Sequence, residues 1–177
     1  MKKSIFIWQL IGFIFTGIMG IILHFLFDWT NQSVIVAPFS AVNESTWEHM
    51  KILFFPMFIF EFIENHYIGN KYENFWYAKF VGIVLGVASI PVLFYTVNGI
   101  FGMTADWVNI AIFFVAAAIS FLFELRFLNK DVKTLKPSGK ALLGLCLIAL
   151  VFVVFTFAPP NIPLFEDPIT KTYGYQY

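Results

Sequence analysis

The residues best equipped for chemistry lie in one short segment, Val42-Asn43-Glu44-Ser45-Thr46-Trp47-Glu48-His49-Met50-Lys51. It brings carboxylates, an imidazole and an ammonium into little more than a helical turn. His24 and Asp28 form a second set; their i, i+4 spacing puts them on one side of a helix, where the carboxylate can hold the imidazole and raise its basicity. Acid, base and cation together are the raw material for general acid–base work, metal binding or the anchoring of a zwitterionic ligand. The candidate ligand-binding residues are therefore His24, Asp28, Glu44, Trp47, Glu48, His49 and Lys51, with Asp106 as a further acid. His24, Asp28 and Glu48 are the candidate catalytic set if the chain is an enzyme. Glu48 also has a structural role open to it. Ser45-x-x-Glu48 has capping-box spacing, in which the Ser45 hydroxyl accepts the Glu48 N–H and the Glu48 carboxylate reaches back to the Ser45 N–H. The plain alternative for the whole set is polar residues solvating helix ends.

A second group, Glu61, Glu64, His66, Glu124 and Arg126, falls at the opposite ends of the same apolar stretches. Glu61 lies deep enough that an unpaired charge would cost about 2.5–3.5 kcal/mol. It needs Arg126, Lys79 or a proton. A structural ion pair and a proton relay are the two readings, and a transporter would place Glu61 and Glu124 on its path. His24 and His49 belong to one end and His66 to the other, so the three histidines cannot share a metal. His24, His49 and a carboxylate could still meet at one ion, but their spacing matches no recognised signature. No metal and no cofactor is expected.

The elements that must position these residues are apolar. The chain has 177 residues, 59% hydrophobic and 12% charged, about half the charged share of a soluble domain. Five stretches, 5–27, 50–67, 79–98, 107–127 and 141–157, each have the length that a hydrocarbon core of about 30 Å requires of a helix. The expected fold is all-α, a polytopic membrane protein with a bundle of five transmembrane helices. Lys2, Lys3, Lys71, Lys79, Arg126, Lys130, Lys133, Lys136 and Lys140 fall on one side of these stretches and only Lys51 and Lys171 on the other. Basic residues are retained on the cytoplasmic side during insertion, so the N-terminus is expected inside and the C-terminus outside. Abundant Phe, Ile, Asn and Lys suggest an AT-rich bacterial genome, hence a bacterial cytoplasmic membrane. Zero net charge without a basic stripe leaves no footprint for nucleic acid.

Residues 1–158 are read as the bundle and 159–177 as an outer tail. Pro159, Pro160, Pro163 and Pro168 stiffen the tail, and Ile162, Leu164 and Phe165 should turn it back onto the outer face. Four stretches carry stripes of small or polar residues at helical spacing: Gln9, Gly12, Thr16, Gly20, His24; Trp47, Lys51, Phe54, Phe58, Glu61, Asn65; Gly82, Gly86, Ser89, Leu93, Thr96; and Asn109, Phe113, Ala116, Ser120, Glu124. Small residues let backbones approach closely where lipid offers no hydrophobic drive, so these stripes should face one another. The Gly82/Gly86 face could instead serve an oligomer. The fifth stretch is uniformly apolar and expected at the periphery, with Cys146 packed in the core. Pro56 and Pro91 deprive the carbonyls of Ile52 and Val87 of their usual donors.

Residues 42–51, continuing through Ile52-Leu53-Phe54-Phe55-Pro56, resemble a motif of an uncharacterised family of small bacterial multi-pass membrane proteins, a domain of unknown function. So does Pro159-Pro160-Asn161-Ile162-Pro163-Leu164-Phe165-Glu166-Asp167-Pro168, with Thr170 and Tyr173-Gly174. The resemblance covers nearly the whole chain and implies no activity. In a slighter way, His24, Asp28 and Glu48 are similar to the His-x-x-x-acid pair and following acid of sterol-isomerase-like membrane proteins. That likeness implies proton shuttling between aromatic walls that stabilise a cationic intermediate. The expected function is the binding of a small or amphipathic ligand at an outward-facing polar site, or service as an accessory subunit. An intramembrane isomerase- or hydrolase-like enzyme and a small transporter are the alternatives.

Overall fold

The computed structural model describes residues 2–102, 105–129 and 138–176. Five helices follow in order: α1 (Lys2–Trp29), α2 (Thr46–Ile68), α3 (Phe75–Phe101), α4 (Asp106–Leu128) and α5 (Ser138–Phe157), with a 3-10 turn, Gly69–Lys71, after α2. Each contains one of the expected apolar stretches and runs up to about a turn beyond it. Among the described residues there is no strand, only an isolated antiparallel bridge between Glu166 and Tyr173. The side chains of Lys2, Lys3 and Asp106, together with Lys130, Lys133, Lys136 and Tyr177, lie outside the described residues.

Among the described residues four segments are long and apolar enough to cross a membrane: Ser4–Trp29, Phe75–Phe101, Trp107–Leu128 and Gly139–Phe157. Helix α2 differs because Glu48, Lys51, Glu61 and Glu64 interrupt its apolar run. All four of these side chains are buried. Helix α2 packs against each of the other helices, and around it the neighbours run α1, α4, α3, α5. The arrangement has a simple cause. Four ionisable side chains are costly to leave unpaired away from water, so the face of α2 that carries them turns to its neighbours, while Ile59, Phe62 and Ile63 stay exposed on the other face. Pro56 and Pro91 sit inside helices that continue through them.

The core is aromatic. Phe54, Phe60, Phe113, Phe121 and Phe152 are all buried in it. Close packing depends on the stripe of α1: a Cβ at Gly12 would meet the rings of Phe60 and Phe121, and one at Gly20 would meet Phe113. The α4 stripe is buried from Phe113 to Glu124. The α3 stripe faces inward only at Gly82 and Gly86 and is exposed by Thr96. Ser89 and Thr96 satisfy themselves by donating to the carbonyls of Leu85 and Val92, which lets a hydroxyl sit on an outer face. Gly82 and Gly86 pack against Glu124, Ser120 and Ala116 of α4, so the face suggested for an oligomer is occupied within the chain.

Of the four apolar segments the one in α5 is the least buried, at 22% against 28–39% for the others. Cys146 corrects an expectation: it is exposed on α5, because Leu145 and Phe152 define the buried face of that helix and Cys146 is about 100° round from Leu145. Lys51 and Lys79 also depart from the reading of basic residues as flanking charges, since both are fully buried.

Candidate functional site

The end of the bundle that carries the α1–α2 connection gathers most of the candidate residues, and the geometry divides them into two groups. The first is structural. Ser45 caps α2, its Oγ accepting the Glu48 N–H at 3.4 Å. The reciprocal half of the capping box is not made. The Ser45 N–H donates to Asn43 Oδ1 at 2.9 Å, and the Glu48 carboxylate accepts the Val42 N–H at 3.0 Å. Glu48 also pairs with Lys51 at 2.5 Å. Lys51 directs its remaining donors to the Ala37 carbonyl at 3.0 Å and the Thr156 hydroxyl at 2.8 Å. An ammonium has three N–H groups, and all of those on Lys51 are used. Trp47 packs on Phe152 and Phe165 with ring centroids 4.6 and 4.5 Å away. Glu48, Lys51 and Trp47 thus hold α2 to α5, the loop and the tail.

The second group is His24, Glu44 and His49. His49 lies about 100° round α2 from Glu48. Glu44 Oε1 is 3.6 Å from His24 Nε2, and Glu44 Oε2 is 3.7 Å from His49 Nε2. The two imidazole centroids are 5.6 Å apart. His49 Nδ1 lies 2.9 Å from the Ser45 carbonyl. A carbonyl only accepts, so Nδ1 carries the hydrogen and Nε2 is the nitrogen turned to Glu44. Asp28 is exposed, and Glu44 rather than Asp28 is the acid facing His24. The set His24, Asp28 and Glu48, on which the likeness to sterol-isomerase-like proteins stood, is therefore not brought together. Helical spacing alone could not reveal this, because the competing acid comes from a connection that only the fold brings back.

The tail fixes that connection. Asp167 Oδ2 accepts the Glu44 N–H at 3.3 Å, Trp47 donates its N–H to the Leu164 carbonyl at 3.0 Å, and Asn43 Nδ2 donates to the Gly174 carbonyl at 3.3 Å. Burial pushes the Asp167 carboxyl up, but hydrogen bonds from the N–H groups of Ile169, Thr170 and Glu44 and from the Thr170 hydroxyl outweigh it and hold the group below the usual aspartate range. Tyr175 closes the tail back on α5 through the Thr156 carbonyl at 2.7 Å.

A cavity of about 550 Å³ opens beside this group between α1 and α4. His24, Glu44, His49 and Asn109 line it, together with Ile21, Phe25 and Ile110. These three apolar side chains are 44–58% exposed on their helices, so the cavity combines a polar group with an exposed apolar lining, to which Ile169 of the tail also contributes. A smaller cavity of about 220 Å³ shares Glu44, His49 and Asn109 and extends towards Ile90 and Phe94 of α3. Asn109 Oδ1 is buried without a hydrogen-bond partner in the protein.

The other end of the bundle holds the second cluster. Lys79 Nζ lies 2.9 Å from Glu61, 2.5 Å from Glu64 and 2.6 Å from Glu124, with every one of these side chains at 0% exposure. Gln9 Nε2 donates to the second oxygen of Glu64 at 2.9 Å. Lys79 is the partner Glu61 required. Arg126 is exposed, because two residues from Glu124 is about 200° round the helix. His66 is exposed at the same end, about 26 Å along α2 from His49 by helical rise. Apart from Thr16 and Ser120, the buried residues between the two clusters are apolar: Met57, Phe60, Ile83, Ala116, Ala117 and Phe121.

Sequence reasoning did not place Thr156, Asp167 or Asn109 in the site. Thr156 is the one hydroxyl in its apolar stretch and Asn109 heads the α4 stripe, so both left a trace. Asp167 left none apart from its place in the tail. No curated protein and no solved structure matches the chain. The resemblance to an uncharacterised family is met by a family model: the family of unknown function DUF6512 matches residues 1–175, and the chain belongs to that family.

Proposed function

We propose that this is a bacterial integral membrane protein that crosses the bilayer with all five helices, N-terminus cytoplasmic, and binds an amphipathic ligand between α1 and α4. The head group lies at His24, Glu44 and His49, and the apolar part leaves through Ile21, Phe25 and Ile110 towards lipid. The observation that carries this reading is the polarity gradient of the 550 Å³ cavity. Ligand sites are mostly apolar concavities with a few converging polar groups, and here the apolar residues are also those on the outer faces of apolar helices.

Two further observations support it. Burial of all four ionisable side chains of α2 against its neighbours, with the apolar Ile59, Phe62 and Ile63 left outward, is how such a helix can cross a bilayer. The apolar packing between the two polar clusters favours a closed binding site over a conduction path. The acid–base enzyme drawn with Glu48 as its second acid is disfavoured, because Glu48 is committed to Lys51 and Val42.

Native mass spectrometry on the protein released from lipid nanodiscs tests the proposal. A retained lipid-sized adduct is expected in the wild type and in Asp28→Asn. It should be lost in Glu44→Gln and in Ile110→Trp, which fills the mouth. An adduct unchanged in both of these variants, or none in the wild type, would overturn the reading.

A further inference from the structure

From the geometry of His24, Glu44 and His49 we infer a binding site for one divalent transition-metal ion of the zinc type. It is built from the polar end of the cavity but does not depend on an amphipath occupying the rest.

The donor set is two imidazole nitrogens and one carboxylate, drawn from α1, the loop before α2 and α2 itself. Their ligand atoms all lie within 4.8 Å of one another. In a tetrahedral zinc site with bonds of about 2.0–2.2 Å, neighbouring donor atoms stand about 3.3–3.5 Å apart. The observed 3.6 Å from His24 Nε2 to Glu44 Oε1 and 3.7 Å from His49 Nε2 to Glu44 Oε2 exceed this by a few tenths of an ångström, each imidazole facing its own carboxylate oxygen. Neither is a direct hydrogen bond, since N–H···O bonds run to about 3.2 Å. The spacing suits a third atom between the partners better than direct contact.

The orientation of His49 points the same way. Its Nδ1–H is spent on the Ser45 carbonyl at 2.9 Å, which leaves Nε2 as the nitrogen that faces the carboxylate. A backbone carbonyl on the far nitrogen is also the usual outer support of a metal-bound histidine, fixing both tautomer and ring plane. The Ser45 carbonyl is itself fixed, because Ser45 is the cap of α2. Glu44 is held through its backbone by Asp167. The ligands therefore stand on anchored backbone rather than on a free loop.

Three protein donors leave one tetrahedral position, and the same three residues line the cavity together with Asn109. Sites with three protein ligands and an open fourth position are those in which zinc binds water or a substrate group. The class of group that fits here is an oxygen donor, a carboxylate or phosphate, presented from the cavity.

The test uses full-length protein in detergent and the metals alone as probes. After incubation with Zn²⁺ and gel filtration, elemental analysis should find one equivalent per chain. Co²⁺ should give the intense visible absorption of a tetrahedral site. Glu44→Gln, at a side chain 45% exposed, leaves the packing untouched and should weaken binding by at least about a hundredfold, since even outer-shell losses cost 10–100-fold. His49→Ala should do the same. His66→Ala, at the far end of α2, should bind as the wild type does. Less than half an equivalent of Zn²⁺ in the wild type, or equal binding by the wild type and Glu44→Gln, would overturn the site. The amphipath reading is scored separately by the lipid-sized adduct in apo protein, so either can fail without the other.

Discussion

Lys51 and Thr156 are 105 positions apart in the chain, yet their side chains meet in a fully buried 2.8 Å hydrogen bond that ties the central polar helix to the last one. Removing the ammonium would leave the Glu48 carboxylate buried without its counter-charge and the Thr156 hydroxyl and Ala37 carbonyl without the Lys51 donor. Breaking a buried pair by deleting one member costs about 3–5 kcal/mol. Lys51→Met should lower the unfolding midpoint in detergent accordingly. Adding Glu48→Gln to Lys51→Met should recover part of the loss, a coupling read from a double-mutant cycle.

The Lys79 cluster is asymmetric, with three carboxylates around one ammonium. Lys79→Met should therefore be the most damaging single change there, costing at least about 3–5 kcal/mol. Glu61→Gln and Glu124→Gln, which each remove one like charge, should cost a fraction of that. The comparison is made by thermal or denaturant unfolding of the three variants. Equal losses would show that the cluster is a set of independent pairs.

Gly82 and Gly99 lie in the same helix and should respond in opposite ways. A Cβ at Gly82 meets the Glu124 side chain, whereas one at Gly99 meets nothing within 4 Å. Gly82→Leu should abolish the folded monodisperse protein on gel filtration. Gly99→Ala should raise stability by about 0.5–1 kcal/mol through helix propensity alone.

Docking of the tail should depend on pH. The Asp167 carboxyl is held below its ordinary range, so its contribution is fully present above the ordinary aspartate value of about 3.9 and is lost as the pH falls through the lowered folded value. Hydrogen exchange at the Glu44 N–H should report this: protection constant from pH 7 to about 5, then falling below about 4 once the intrinsic exchange rate is corrected for. Asp167→Asn should remove the pH dependence.

The proposed threading places Lys171 outside and Asn70 inside. In a Cys146→Ser background, Lys171→Cys should react with a membrane-impermeant maleimide on intact cells. Asn70→Cys should react only after permeabilisation. The reverse pattern would invert the orientation inferred from the basic residues.

Helix positions were legible in the chain because apolar runs of the right length leave a helix no other way to satisfy its backbone. The inward faces were legible too: Gln9, Gly12, Thr16 and Gly20 are all buried, as the stripe of small and polar residues on α1 required. The candidate site was legible only in part. His24, Glu44 and His49 were among the residues named, but the sequence did not separate them from Glu48 and Lys51. His24 was assigned to Asp28 because local spacing rewards i, i+4 pairs, and Glu48 was given a capping role at Ser45, whereas its carboxylate goes to Lys51 three residues on and to the Val42 N–H.

The sequence by itself determined which segments are helices, which faces of α1 and α4 turn inward and that Glu61 needs a partner. A period of 3.6 and the cost of an unpaired charge act along the chain and need no partner to be read. Only the tertiary structure decided which acid meets which base. That choice depends on where connections return and on which helix closes over which, and both are set by packing between residues far apart in the chain. Glu44 faces His24 because the tail and the capped start of α2 hold it there, and Lys51 belongs to Thr156 because α5 covers α2.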